Sequence, residues 1–337
     1  MQRCLDLAIL GLGNVAPNPM VGCVIVHDGK VIGEGYHQRI GEAHAEVNAI
    51  KSVANQELLK DSTLYVNLEP CSHHGKTPPC ADLILQMKIP RVVIGSYDPN
   101  LLVSGKGIQK LKEAGVEVVT DVMKKEADFM NRRFITFHTK HRPYIILKWA
   151  QSADGLIALN EQKQYWLTNS ESKKLTHKWR TEEQGILVGA NTVAVDDCEL
   201  TARLWQGKNP MRAVIDRKLV LPADRKIFNG EAVTLIFNEM KTGERGSNRY
   251  IWIDFNGNVV GQILQKLYEL QIQSLIVEGG PYTLNRFLEQ GLWDEARIFV
   301  TAQQLKEGKT APVIKQSYTD ELEIEKDVLR TYFNTSA

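Results

Sequence analysis

One set of residues constrains this chain more tightly than any other: His44-Ala45-Glu46, then Pro70-Cys71, then Pro78-Pro79-Cys80. His44, Cys71 and Cys80 are ligands of the kind that tetrahedral Zn²⁺ takes. A fold that uses them must bring three separate segments to one point. Three protein ligands leave the fourth position for water, and zinc lowers the pKa of such a water from ~15.7 towards ~7. Glu46 follows His44 by two residues and can carry the proton without ligating the metal. The local pattern supports this placement. Ala43 to Ala54 reads as a helix, apolar at Ala45, Val47, Ala49, Ile50 and Val53, with His44 in its first turn. Pro78-Pro79 sets Cys80 at the opening of the next helix, Ala81 to Met87, whose positive end favours a thiolate. A closed structural site with His73 or His74 as fourth ligand is the competing reading. Its weakness is spacing, since structural sites use the close paired ligands of fingers and ribbons.

The 337 residues suggest two domains, and a 43% hydrophobic content supplies two cores. With 41 basic and 40 acidic side chains, bulk charge favours neither nucleic acid nor an anionic membrane. No apolar run approaches a membrane span, and no signal peptide is read at the start. Five cysteines, odd and sparse, argue for a reducing compartment, so a cytoplasmic location is expected.

Two α/β layered domains are the simplest architecture. The first half reads as a helix at Leu5 to Leu12 and a hairpin about Asp28-Gly29, a favoured turn pair. A strand at Thr63 to Leu68, further strand–helix alternation and a closing helix from Glu126 to Phe137 follow. Lys140-His141-Arg142-Pro143 marks the boundary, giving domains at 1–142 and 143–337. Strands then recur at Tyr144 to Trp149, Ile186 to Val188, Arg212 to Ile215, Val233 to Phe237, Tyr250 to Ile253, Leu275 to Val277 and Arg297 to Val300. Helices are expected at Glu171 to Arg180, Val259 to Leu270 and Thr283 to Glu289. The stretch from Thr310 to Ala337 yields no clear elements.

The His-x-Glu and Pro-Cys pattern resembles the zinc deaminase signature, with one departure. Eight residues, Ser72 to Pro79, separate the two cysteines. That stretch, with Asn18-Pro19-Met20-Val21-Gly22 upstream, resembles the pyrimidine deaminase domain of the bifunctional deaminase-reductases of riboflavin biosynthesis. The resemblance implies a cytidine-deaminase-like α/β/α domain. Its reaction is hydrolytic deamination of 2,5-diamino-6-ribosylamino-4(3H)-pyrimidinone 5′-phosphate, with Zn²⁺ on His44, Cys71 and Cys80. Glu46 is then catalytic, and Asn18, His37 and Lys76 meet the substrate. Asn18 offers a donor and an acceptor to a pyrimidine edge, and Lys76 offers charge to a phosphate.

The second half has no Gly-x-Gly-x-x-Gly after a strand, which disfavours a dinucleotide domain of that kind. It does have two glycine-bearing strand ends, Val188-Gly189 and Glu278-Gly279-Gly280, the latter running into a helix whose amides suit a pyrophosphate. An ordinary tight turn explains two glycines equally well. Lys148 to Gly155, Trp166 to Asn169, the Asp196-Asp197 segment and Glu278-Gly279-Gly280 occur in an order that resembles the reductase domain of the same family. That resemblance implies a dihydrofolate-reductase-like α/β fold using NADPH to reduce the ribosyl group to ribityl. It places cofactor contacts at Ala150, Trp166, Thr192, Asp196 and the turn Gly280, Pro281, Tyr282, Thr283, Leu284, Asn285 and Arg286. Substrate contacts fall at Lys148, Gln164, Arg180, Leu200, Arg203 and Glu278. Guanidinium groups at Arg180 and Arg203 suit a phosphate. Asp196 is a candidate for the proton of ribose opening. Arg217 is either the reader of the NADPH 2′-phosphate or an exposed strand-end arginine. Phosphorylated pyrimidines are the expected partners, in a homo-oligomer without nucleic acid or membrane.

Overall fold

The computed structural model describes residues 1–72, 78–100, 104–160 and 165–335. It divides into two compact units, Met1–His141 and Arg142–Ala337.

In the first unit, α1 (Gln2–Ala8) precedes β1 (Gly22–His27) and β2 (Lys30–Tyr36), a hairpin turned by Asp28 at φ 47° and Gly29 at φ 72°. Positive φ at both central residues is the geometry an Asp-Gly pair favours. Then come α2 (Ala45–Ser52), β3 (Thr63–Leu68), α3 (Cys80–Gln86), β4 (Arg91–Ser96), α4 (Lys106–Glu113) and β5 (Glu117–Val119). The sheet order is β2-β1-β3-β4-β5, antiparallel at the hairpin side and parallel from β3 onward. Ile25, Leu64, Val66, Val92 and Ile94 of the sheet meet Ala49, Ile50, Ile84 and Leu111 of the helices in one core. Gly35 sets how close α2 can come: a Cβ there would lie 2.4 Å from the Ala49 amide nitrogen. That approach fixes the start of α2, where His44 and Glu46 sit.

The expected single closing helix is two, α5 (Lys124–Met130) and α6 (Arg132–Lys140). Asn131 breaks it, and its side chain has other work. Its Oδ1 accepts from the Met20 amide at 2.8 Å and its Nδ2 donates to the Met20 carbonyl at 3.0 Å. Asn67 donates to the same carbonyl at 3.0 Å and accepts from the Gly22 amide at 2.8 Å. Two buried amides thereby pin the loop that carries Asn18.

The second unit contains β6 (Tyr144–Gln151), β7 (Leu156–Ala158), α7 (Ser170–Glu182), β8 (Gly185–Gly189), α8 (Ala190–Asp196), β9 (Met211–Ile215), β10 (Thr234–Asn238), β11 (Gly243–Arg245) and β12 (Asn248–Trp252). After these come α9 (Val259–Glu269), β13 (Ser274–Val277), α10 (Pro281–Glu289), β14 (Glu295–Thr301), β15 (Lys309–Thr310), β16 (Asp320–Ile324) and β17 (Asp327–Phe333). Its large sheet has the order β11-β12-β10-β9-β8-β13-β6-β14-β17-β16. The run from β12 to β14 is parallel. Apolar side chains bury both faces, as a parallel sheet requires.

The connections depart in opposite directions from the centre. β8 leads outward through β9, β10 and β12, while β13 returns between β8 and β6, and β14 pairs on the far side of β6. Ligands in open α/β sheets lie beyond the carboxyl ends of the strands at such a reversal. The tail supplies the antiparallel strands β16 and β17.

A buried ion pair anchors the start of this unit. Arg142 donates to both Asp294 oxygens, at 2.5 and 2.8 Å, and the Ile145 amide donates to the same carboxylate at 2.8 Å. Asp294→Ala leaves the Arg142 charge buried and alone. We expect a loss of about 3–5 kcal/mol in the unfolding free energy of this unit, read by denaturant titration.

Candidate active sites

In the first unit the three expected ligands converge. The backbone places His44 just before α2 as its extended N-terminal cap, rather than inside the first turn. Its Nδ1 lies 3.3 Å from Cys80 Sγ and 3.5 Å from Cys71 Sγ, and the three ligand atoms all lie within 4.8 Å of one another. Zn–N near 2.0–2.1 Å and Zn–S near 2.3 Å at a tetrahedral angle give an N···S edge of about 3.5 Å. The donor set and its spacing thus fit zinc. Cys80 opens α3, capped by Pro79, and its amide donates to Cys71 Sγ at 3.3 Å. Hydrogen bonds from Cys80 and then His44 hold the Cys71 thiol well below the ordinary thiol range.

Glu46 is 3% exposed in the first turn of α2. Burial, reinforced by the nearby Cys71, pushes its carboxyl up to about 7. Asn18 and His37 are brought beside the metal site. Asn18 Nδ2 lies 3.0 Å from His37 Nε2, and His37 Nδ1 lies 3.1 Å from the Ala43 carbonyl. The carbonyl can only accept, so Nδ1 carries the hydrogen and Nε2 accepts from Asn18. The His37 and His44 rings meet edge to face at 5.5 Å. Lys76, His73 and His74 lie outside the described residues.

In the second unit the register Val277↔Leu147 and Val277↔Leu187 puts Glu278, just past the carboxyl end of β13, level with Lys148 of β6 and Val188 of β8. A cavity of about 630 Å³ opens there. Lys148, Arg180, Leu200, Arg203 and Glu278, all expected substrate contacts, line it, and so do Ala150, Trp166, Thr192 and Asp196. Gln164 lies outside the described residues. Arg180 donates to Glu278 Oε2 at 2.9 Å and to the Thr201 carbonyl at 3.1 Å. Burial alone would raise the Glu278 pKa; Arg180 and Lys148 overcome it and hold the carboxylate at about 2. Its Oε1 is buried without a hydrogen-bond partner among the described residues. Burial pushes the Lys148 ammonium down and the Asp196 carboxyl up.

A second cavity, of about 1100 Å³, runs past Gly189, Thr192, Gly280, Pro281, Tyr282, Thr283, Asn285 and Arg286. Its size suits an extended cofactor such as NADPH. A Cβ on Gly189 would lie 2.9 Å from Thr283 Oγ1, so α10 packs closely on that glycine. Arg217 also lines it, held by Glu239 at 2.8 Å and lying over the Phe255 ring at 5.4 Å. Leu284 is 0% exposed and belongs to the core, because the face of α10 that carries it points at the sheet. The Gly280 amide donates to Thr192 Oγ1 at 3.0 Å, so that hydrogen bond ties the two glycine junctions together.

Sequence reasoning missed Lys173, Thr176 and His177. With Arg180 they occupy i, i+3, i+4 and i+7 of α7 and line the first cavity as one polar stripe. That helical spacing was the available signal.

The comparisons with known proteins divide as the structure does. Residues 1–96 match the cytidine and deoxycytidylate deaminase zinc-binding region, and residues 143–327 match the RibD C-terminal domain. The chain is therefore a zinc-dependent deaminase joined to an NADPH-dependent reductase. Riboflavin biosynthesis protein RibD of Aquifex aeolicus is 43% identical over 91% of this chain and 87% of its own length. The protein of that name from Escherichia coli is 37% identical over 90% and 87%. A crystal structure of a diaminohydroxyphosphoribosylaminopyrimidine deaminase/5-amino-6-(5-phosphoribosylamino)uracil reductase from Thermotoga maritima superposes with a TM-score of 0.91. It is 36% identical and covers 99% of this chain and 97% of that one. The chain belongs to the RibD family of riboflavin biosynthesis enzymes.

The environment of His177 has a consequence for acid stability. Burial, then Arg180 and Arg203, lower its pKa from 6.5 to about 4. Between those values the unfolded chain binds a proton that the folded chain refuses, so stability falls as pH drops from 6.5 towards 4. His177→Gln removes that slope. We expect the melting temperature of the second unit to fall less between pH 7 and pH 4.5 in the variant than in the parent.

Proposed function

We propose that the two sites act in succession on one phosphorylated pyrimidine. The first deaminates 2,5-diamino-6-ribosylamino-4(3H)-pyrimidinone 5′-phosphate, and the second reduces the ribosyl group of the product to ribityl. The domains carrying these steps are 1–142 and 143–337. The observation that carries the first half is a buried carboxylate, Glu46, beside a three-ligand zinc site. The named reactions of the Thermotoga maritima protein support the order.

His44, Cys71 and Cys80 would hold zinc, which would supply an acidified water for the hydrolysis. Glu46 takes the proton and delivers it to the departing amine. Burial suits the task, because a carboxyl whose pKa lies near neutral can both accept and donate. His37, kept neutral by burial and with its hydrogen committed to Ala43, fixes the Asn18 amide against the pyrimidine edge. Lys76 completes the substrate contacts.

NADPH supplies a hydride to the reductase. The glycine-edged cavity, with the Gly280 to Arg286 segment and Arg217 in its lining, would hold this cofactor, and Arg217 would offer its charge to the 2′-phosphate. Ala150, Trp166, Thr192 and Asp196 would also contact the cofactor. Glu278 keeps an ionised oxygen free for a substrate hydroxyl, since Arg180 occupies the other. Leu200, Arg203 and Gln164 complete the substrate contacts. Asp196 handles the proton that accompanies ring opening, a role supported by its raised pKa. The protein acts in the cytoplasm as a homo-oligomer. Sparse thiols support the compartment, and likeness to the family supports the assembly.

The test is ammonia release and NADPH oxidation by the purified protein on the diaminopyrimidinone ribosyl phosphate. Ammonia is expected without NADPH, and NADPH consumption only after deamination. Glu46→Gln should keep its zinc and lose ammonia release by about 10²–10⁴-fold. Asp196→Asn should lose NADPH oxidation alone. Zinc-loaded parent protein that releases no ammonia would defeat the reading, and unchanged turnover in Asp196→Asn would remove that residue from its role.

A further inference from the structure

Glu69 is a buried carboxylate outside both catalytic sets, and it stands two residues before Cys71. It follows the last residue of β3, and its amide donates to the Ser96 carbonyl of β4 at 2.9 Å. Its side chain accepts four backbone hydrogen bonds. Oε2 takes the Gly105 amide at 2.9 Å and the Asp98 amide at 3.4 Å. Oε1 takes the Gly107 and Ile108 amides at 3.0 and 3.3 Å. Gly107 and Ile108 lie in the first turn of α4, whose N-cap is Gly105, a residue with no side chain to cap it. Glu69 therefore does from a distant segment what a serine or aspartate N-cap does locally, and its charge meets the positive end of the helix.

The contact continues into the metal site. Pro70 lies so close to α4 that a Cβ on Gly107 would come within 2.1 Å of the Pro70 carbonyl oxygen. Cys71 is next in the chain, and its carbonyl accepts from the Ala81 amide of α3 at 3.1 Å. Lys110 of α4 pairs with Asp82 of α3. The helix α4 thus meets both cysteine-bearing segments. In a tetrahedral site with Zn–S near 2.3 Å the two sulfurs lie about 3.8 Å apart. Cys71 and Cys80 stand on different segments, so that separation depends on what holds the two segments from outside.

We propose that Glu69 is a positioning residue of the deaminase: by capping α4 it locks that helix onto the segment that carries Cys71, and so sets the spacing of the two zinc-binding sulfurs. The inference rests on the zinc reading of this site and goes beyond it, because Glu69 is no ligand and turns both oxygens to backbone amides. A carboxylate suits the role, since both of its oxygens only accept, whereas a glutamine would set an NH₂ group against an N–H.

The test measures zinc binding by the full-length protein, stripped of metal and titrated in competition with a chelator. Glu69→Gln keeps the shape of the side chain and loses part of the cap. Its zinc dissociation constant should rise about tenfold, the scale on which residues outside the ligand set act on metal affinity. The ligand-field absorption of the Co²⁺-loaded variant should shift from that of the parent, because the sulfurs change place. Gly107→Ala forces α4 off Pro70 without touching the carboxylate. It should weaken zinc in the same direction, and it serves alone where Glu69→Gln does not fold. The double variant should bind zinc about as weakly as the weaker single variant, since both break one contact. A cap that served only the stability of α4 would lower the melting temperatures of metal-free and zinc-loaded protein equally. The proposal is overturned by that result, or by a folded variant of either kind with the zinc affinity and Co²⁺ spectrum of the parent. Parent protein that binds no zinc overturns the zinc reading itself.

Discussion

Taking a carboxylate out of water is costly, and each site here is built around one such group, with opposite solutions. Glu46 is buried beside the Cys71 and Cys80 sulfurs, and burial raises its pKa to about 7. Glu278 is buried against Arg180 and Lys148, and its pKa falls to about 2. A carboxyl near neutrality can pass a proton, whereas one held ionised can only accept hydrogen bonds. The two environments therefore separate a proton carrier from a fixed anchor before any substrate arrives. Much of the surrounding structure serves these placements. The close approach of α2 to β2 at Gly35 seats Glu46, and the pairing of β13 between β6 and β8 sets Glu278 beside Lys148.

The sequence made some of this legible because the chemistry is local. His44 and Glu46 sit two residues apart, and a proline pair announces the helix that presents Cys80, so little tertiary knowledge is needed. The Asp28-Gly29 hairpin is equally local. The strand Thr63–Leu68 has the expected bounds because it is apolar between polar flanks. The spacing of the α7 stripe is legible, but its function is not, for a physical reason. Lys173, Thr176, His177 and Arg180 look like the solvated side of a surface helix, and only the strand ends facing them make that side the wall of a cavity. The tail failed differently. Asp320, Glu321 and Glu323 give an edge strand with scarcely any apolar alternation, and β16 exists because β17 offers it a ladder. Within the Gly280–Arg286 run the helical period turns the Leu284 side chain into the core, which a reading of the run as one block does not show.

Buried polar groups also do the long-range positioning. In the first unit, Asn67 and Asn131 grip the Met20 backbone from a strand and from a helix break. The Asn18 side chain is thereby located by residues far along the chain. A side-chain amide suits this role because it satisfies an N–H and a C=O together, and a charged group could not do so without a counter-ion.

Arg212 shows the same logic at greater cost. It is fully buried on β9, and its guanidinium meets the Glu199 and Ala232 carbonyls and Asn229 Oδ1 rather than a carboxylate. Burial accordingly lowers its pKa. Leu200, which follows Glu199, is held at φ 59°, a conformation that costs a non-glycine residue of order 1 kcal/mol or more. A buried cation without a carboxylate and a strained leucine are each unfavourable alone. Together they fix the chain where it turns Leu200 and Arg203 towards the reductase cavity, so that the wall opposite α7 is in place before the substrate binds.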